Sequence, residues 1–405
     1  MRRVLSLLLI LCFITVSFVG CRPKQTEAIV NIAEADLTLA PEELLAKYEF
    51  RFFSTLKGAV AAANADEVLK MADADRQTAA VAVYDGGDAP YLILLNDHSE
   101  TEGIMWSCSA TLNLGGKKLH FTNRKLAFEI DPNYVETVVI DGRLNGSEIV
   151  VDGSEMAAGI FRTGNGTLKV LGGKYVARAE SRTANVKCFL VDEGGKLYMS
   201  DCDIDAHSHY LHDGEQGYAS LSMGVDNKGF AELTECEVFG THSAMQTSGT
   251  VKINGGVYES VGHGGFYFCG LNSVSLVKNA VIKQGVMPEG FEQTVGGNRA
   301  GFYIGGGEGD DHNSVYMDNC TIIAEKQPIV LRGSSGEQGN TLYISNSSIT
   351  ADTELGVRVD NNTHRLFLGV GNTFGIEEVK LRPGITEDDL KIMVTVTDEV
   401  YSQDR

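Results

Sequence analysis

The 405-residue chain holds 46 glycines and only 7 prolines, and its 54 acidic against 34 basic side chains give a net charge of −20. That balance excludes nucleic acid as a partner, since phosphate binding needs clustered Lys and Arg. It also repels anionic headgroups, so any hold on a membrane must be hydrophobic or covalent. A hydrophobic fraction of 43% excludes global disorder.

The chain opens with Met1-Arg2-Arg3, an almost unbroken apolar run from Val4 to Val19, and then Gly20-Cys21 before a polar stretch. This is the three-part layout of a secretory signal, and the run is short for a membrane span. The ending Phe18-Val19-Gly20-Cys21 resembles the lipobox of bacterial lipoproteins, with Phe18 where such motifs usually have Leu. The resemblance implies a signal peptide over residues 1–20 and lipidation of Cys21. It also implies an extracytoplasmic place in the bacterial cell envelope, with the membrane touched through the lipid anchor alone.

Residues 21–40 read as a tether. Residues 41–90 read as an N-terminal helical cap, because residues 41–63 combine good helix formers with apolar spacing near 3.6. Residues 91–95 read as a buried strand, and residues 110–121 as a first coil.

From residue 166 one pattern recurs, starting at Gly166, Gly195, Gly229, Gly249, Asn272, Asn313 and Asn340, at spacings of 20 to 41 residues. Two and four residues on, each copy is apolar, as at Leu197 and Met199 or Val315 and Met317. In the Asn272 copy these positions fall on Val274 and Leu276. Three residues after the second apolar site comes a compact residue: Gly173, Cys202, Cys236, Gly256, Asn279, Cys320 and Ser347. Period-two alternation with Gly or Asn corners predicts stacked strands. The compact position is then an inward ladder, and its cysteines are expected as free thiols, although Cys202 and Cys236 fall in successive copies. A second short strand lies in most repeats, as at residues 266–269, 302–304, 329–331 and 357–359. A weaker eighth copy runs through Leu366 and Leu368, and residues 377–405 read as a C-terminal cap. The expected fold is an all-β parallel β-helix solenoid over residues 91–376.

The helix ending in an Ala-rich turn, the strand YLILL followed by Asn-Asp, and ATLNLGGKKL together resemble the start of right-handed parallel β-helix proteins of the pectin-lyase-like type found on bacterial surfaces. The resemblance implies the right hand of the coil and makes extended sugar chains the relevant ligand class.

Two corners are long, at residues 206–217 and 283–299, and between them lie tight corners carrying His242 and His263. The register therefore predicts a groove with His242 and His263 on its floor and His207, His209, Tyr210 and His212 on one wall. His-x-His pairs can chelate zinc or copper, but no carboxylate or cysteine set completes a shell, so the metal stays unknown. The resemblance brings two catalytic precedents. Polygalacturonase-like hydrolases pair aspartates near a Gly-His-Gly; here Gly262-His263-Gly264 precedes Asp310-Asp311 instead of following it, and the other signatures are absent. Pectate-lyase-like enzymes use a basic side chain and carboxylates holding calcium, for which Arg332 and Arg358 near Asp360 are the candidates. No cofactor is evident otherwise; calcium would enter only with lyase chemistry. The favoured reading is a surface lipoprotein that binds polysaccharide or surface glycan without catalysis, the alternative a polysaccharide lyase or glycoside hydrolase.

Overall fold

The computed structural model describes residues 32, 36 and 39–401, apart from residues 87–88, 123, 154–156, 180–183, 213–214, 219–220, 263, 271–272, 286–290, 294–299, 306–311, 326, 334–338 and 352–355. The expected signal peptide over residues 1–20 and Cys21 lie outside the described residues. Residues 39–85 and 89–405 form one compact unit.

Among the described residues, three long sheets run side by side with 14, 12 and 11 strands, here called A, B and C. The chain visits them in rotation. One coil runs through Lys196–Ser200 in sheet A, Asp203–His212 in B and Leu221–Asn227 in C, and the next begins at Phe230–Thr234 back in A. From Tyr91 onward neighbouring strands within a sheet are parallel and in register, as in Leu168↔Leu197↔Ala231↔Val251, except for Glu215–Tyr218, which runs antiparallel to Asp203–His212. This is a parallel β-helix, as the repeat predicts.

The corner from A to B explains the repeat. One residue there takes a left-handed conformation in coil after coil: Gly172 (φ 62°), Asp201 (55°), Glu235 (49°), Gly255 (79°), Asn279 (57°), Asn319 (51°) and Asn346 (50°). Gly and Asn tolerate this region at the least cost. Side-chain amides also link these corners: Asn319 Nδ2 donates to Asn279 Oδ1 at 2.8 Å, and Asn279 Nδ2 donates to Oδ1 of Asn254, the residue before Gly255, at 2.8 Å. The residue after the corner turns inward, so Cys202, Cys236, Cys320 and Ser347 are all buried. In this structure each described cysteine carries a free thiol.

This column corrects one copy of the sequence register. Asn279 occupies the left-handed corner, so Ala280, 1% exposed, takes the inward place. The whole copy slips by one residue: Ile253 pairs with Val277, and Ser275 with Val315. Val274 is consequently 48% exposed while Ser275 is buried, its hydroxyl accepting from the Val251 amide at 3.2 Å. A serine at an inward site broke the apolar parity on which the alignment rested.

The expected single helix over residues 41–63 is two helices, Pro41–Lys47 and Leu56–Ala65, separated by the strand Arg51–Phe53. Aromatic alternation overrides helix propensity there. Tyr48 and Phe50 pack on Tyr84, with centroids 5.3 and 5.7 Å away, while the strand pairs antiparallel with Val81–Tyr84. Thr55 restarts the helix, its Oγ1 accepting from the Gly58 amide at 3.0 Å. Leu56, Ala59, Val60 and Ala62 then join the core and cover one end of the solenoid. At the other end, Val379–Leu381 extends sheet C and Val394–Val396 extends sheet A, with the helix Glu387–Met393 between them.

A β-branched residue at the stacked corner should be costly. Asn319→Val, which forces Val into φ near 51° and removes a link of the amide ladder, is expected to lower stability by about 2 kcal/mol. Asn319→Gly should cost distinctly less in a urea unfolding series, and equal losses would show that the corner does not govern the stack.

Candidate functional site

The corner from sheet B to sheet C is where the sequence places its groove. The strand Asp203–His212 pairs in sheet B over its first half and then continues past the sheet, where His209–His212 runs antiparallel to Glu215–Tyr218. Glu215–Tyr218 in turn pairs with Phe291–Gln293 from the other long corner, Gln216 opposite Phe291. The two walls expected to stand apart are therefore joined through backbone strands. His209, Tyr210 and His212 lie on the hairpin's first strand; His263 lies outside the described residues.

Beneath, the two tight corners belong to the coils between. His242 is buried, its amide donating to the Ser222 carbonyl at 2.9 Å and its Nδ1 lying 3.1 Å from Ser243 Oγ. The hydroxyls of Ser222, Thr241 and Ser260 are buried with no hydrogen-bond partner among the described residues. An unmade buried hydroxyl bond costs on the order of 1–3 kcal/mol, and three such hydroxyls fall at this one corner.

His207 points to a site the sequence reading did not assemble. In sheet B, Asp152, Arg178 and His207 occupy one outward column on successive coils. Two residues back along the strands a second column runs His120, Val150, Val176, Asp205 and Phe239. The columns interlock. His120 Nε2 donates to Asp152 Oδ2 at 2.6 Å, Arg178 Nε bonds the other Asp152 oxygen, and the His207 ring lies over Phe239 with centroids 6.3 Å apart and planes at 28°. Val150 and Val176 form a buried apolar floor, whereas the side chains of His120, Asp152, Asp205 and His207 keep about a third of their surface open and that of Arg178 about half.

The two carboxyls of this strip sit in opposed environments. Burial alone would raise the Asp152 carboxyl, but the hydrogen bonds from Arg178 and His120 outweigh it and hold the group below the ordinary carboxylate range. Asp205 is raised, by burial first, with His207 and Lys174 offsetting part of the effect. Its Oδ1 has no hydrogen-bond partner among the described residues, His207 Nδ1 standing 3.9 Å away. The outward positions of the aligned repeats carried this signal: residues 174–178 and 203–207 superpose Arg178 on His207. Reading only the inward positions missed it.

The candidate arginines lie elsewhere, at the corner from sheet C to sheet A. Arg358 holds Asp360 through Nε and Nη2 at 2.6 and 3.0 Å, and Arg332 Nε lies 3.8 Å from the same carboxylate, which is 3% exposed. Asp310 and Asp311 lie outside the described residues. His364, at the same corner, is buried and accepts the Asn340 amide on Nδ1 at 3.0 Å. On the outer face of sheet A, Tyr316, Tyr343 and Phe367 stack at 4.3 and 4.6 Å with planes 1° and 11° apart. Their faces cover one another, which leaves edges and no open platform for a sugar. Surface depressions of about 390 and 370 Å³ lie at other corners, along residues 142–148 and beside Lys228. Among the described residues no three His, Cys, Asp or Glu side chains converge as a metal shell requires.

No protein-family model matches the chain, and no curated protein matches it. Among solved structures it is similar to the Dettilon tailspike protein (gp208), with 14% identity and a TM-score of 0.34, over 67% of this chain and 62% of that one. The chain thus spans less than two thirds of the tailspike's length.

Burial lowers the His364 pKa to about 4, the Asp360 charge offsetting part of the effect. The unfolded chain therefore takes up this proton near pH 6.5, before the fold can. Stability from this site is complete above that pH and declines as pH falls toward 4, by up to about 3 kcal/mol. His364→Asn should flatten that part of a urea-midpoint profile; an unchanged slope between pH 6.5 and 4 would assign it to other groups.

Proposed function

We propose that the chain is a bacterial envelope lipoprotein whose β-helix binds extracellular polysaccharide or surface glycan along the outer face of sheet B without turning it over. The observation that carries the reading is the in-register strip. Successive coils stand about 5 Å apart, so a linear polymer lying along the solenoid meets Asp152, Arg178 and His207 in turn, beside the apolar floor of Val150 and Val176. Mixed donors and acceptors over an apolar floor suit a polyhydroxylated chain, whose rings have both kinds of surface. The charge of −20 argues against nucleic acid. The ion pairing of Arg358 with Asp360 supports a structural role for that arginine over a catalytic one.

A specific observation favours a second reading, a glycoside hydrolase on the same strip. Two carboxyls of the strip are pushed in opposite directions, Asp205 up and Asp152 down, the kind of difference that separates an acid from a base.

Retention on a panel of neutral and uronate-rich polysaccharides separates these readings. Arg178→Ala with His207→Ala is expected to weaken binding at least tenfold, a change of about 1.4 kcal/mol, with the circular dichroism spectrum unchanged. Retention that ignores both substitutions removes the strip as the site. Oligosaccharides released by the native chain, and lost with Asp205→Asn, would replace the binding reading by the hydrolase.

The anchor rests on the leader, where the apolar run ends at Gly20-Cys21. Produced with its leader in a bacterial host, the chain should incorporate labelled fatty acid and partition with membranes. Cys21→Ser should abolish both, and label retained by that variant would refute lipidation at Cys21.

A further inference from the structure

Two cysteines stand where a covalent bond between coils can form. Cys202 and Cys236 each follow a left-handed residue, Asp201 and Glu235, and each turns into the core, 2% and 0% exposed. They are register neighbours: Asp203 pairs with Glu237, and the Glu237 amide donates to the Cys202 carbonyl at 2.8 Å. In-register parallel neighbours have Cα atoms about 5 Å apart, inside the roughly 4.4–6.8 Å that a disulfide spans, and both Cβ atoms leave the same face of the sheet. Glycines occupy the equivalent position on either side, Gly173 before and Gly256 after, so no neighbouring side chain in the column crowds the two sulfurs.

The other described thiols have no such neighbour. Cys320 occupies the same column, but Gly256 and Ala280 place it three coils beyond Cys236, about 14 Å away. Cys188 donates to the Asp205 carbonyl from sheet C. Cys108 and Cys269 sit at corners near different partners, Asn64 and the Thr247 carbonyl.

We propose that Cys202 and Cys236 close an internal disulfide between successive coils, formed during folding by exchange with an external disulfide such as oxidised glutathione. One thiolate attacks a sulfur of the external disulfide and expels a thiolate, leaving a mixed disulfide. The second protein thiolate then displaces the remaining external sulfur. The protein loses two protons and two electrons, and the external disulfide is reduced to two thiols. Burial in the finished fold places this step before the core closes. The bond would tie together the roots of the strands that carry Asp205, His207 and Phe239, whatever ligand that face takes.

The test is a thiol map of the full chain, unfolded, refolded in a glutathione redox buffer and alkylated in denaturant. Trypsin cleaves after Lys196, Lys228 and Lys252 and so separates the two cysteines. The expected product is one cross-linked pair of peptides, about 2 Da lighter than their sum, with Cys108, Cys188, Cys269 and Cys320 alkylated. Dithiothreitol should lower the guanidinium midpoint of the native chain and leave that of Cys202→Ala with Cys236→Ala unmoved. Alkylation of both Cys202 and Cys236 in the refolded chain would overturn the proposal, and the native chain alone is enough to decide it.

Discussion

The left-handed residue at the corner between sheets A and B is the constraint on which the solenoid depends. A parallel strand can stack on the previous coil only if each coil turns at the same place, and here one residue per coil accepts a conformation that most side chains avoid. Because the corner fixes which residue comes next, it also fixes which side chains enter the core. Gly, Asn and acidic residues fill the corner, and small residues follow it: Gly173, Cys202, Cys236, Gly256, Ala280, Cys320 and Ser347. Larger inward residues stand farther along each strand, where Tyr175, Ile204, Val238 and Tyr258 fill the space those small residues leave.

That division of labour explains why the other two corners are free to vary. Corners of widely different length leave sheets B and C without disturbing the stack, since the register is already set at the first turn. The long segments do more than protrude. One extends a sheet B strand into a hairpin, and the hairpin pairs with the segment from three coils beyond, so the wall beside the tight corners has backbone bonds of its own. At the solenoid's ends, helices and added strands cover apolar surface that a further coil would otherwise have to meet.

The same register that builds the core also aligns its exterior. Each outward position is repeated about every 5 Å along the axis, so a charged residue in one coil is met by its equivalents in the next. On sheet B this has produced linked pairs, His120 with Asp152 and Asp152 with Arg178, beside an Asp205 whose carboxyl is only partly compensated. At the corner from C to A the same stacking sets Arg332 beside a buried Asp360 that Arg358, two residues back on its own strand, already holds. One geometry therefore yields an open, mixed-charge strip on one side and a closed ion pair on another.

Local chemistry made the solenoid legible without coordinates. Alternating apolar residues, glycine and asparagine at corners, and a compact residue after each corner are properties of single coils, and they recur often enough to be aligned. Local patterning failed where a distant partner decided the outcome. Ser275 sits in the core because the Val251 amide of the previous coil needs its hydroxyl, and no pattern within its own copy shows that. Arg51–Phe53 became a strand because Val81–Tyr84 offered it an edge, and Tyr48 before it found the Tyr84 ring to pack on. The candidate site divides in the same way. The sequence alone placed both long corners on one side of the coil, because register depends on spacing. Only the tertiary structure joined those corners and set Arg332 and Arg358 around Asp360. It also gathered His120, Asp152, Arg178, Asp205 and His207 into one strip, since side chains up to 87 residues apart share a face only when the coils are stacked.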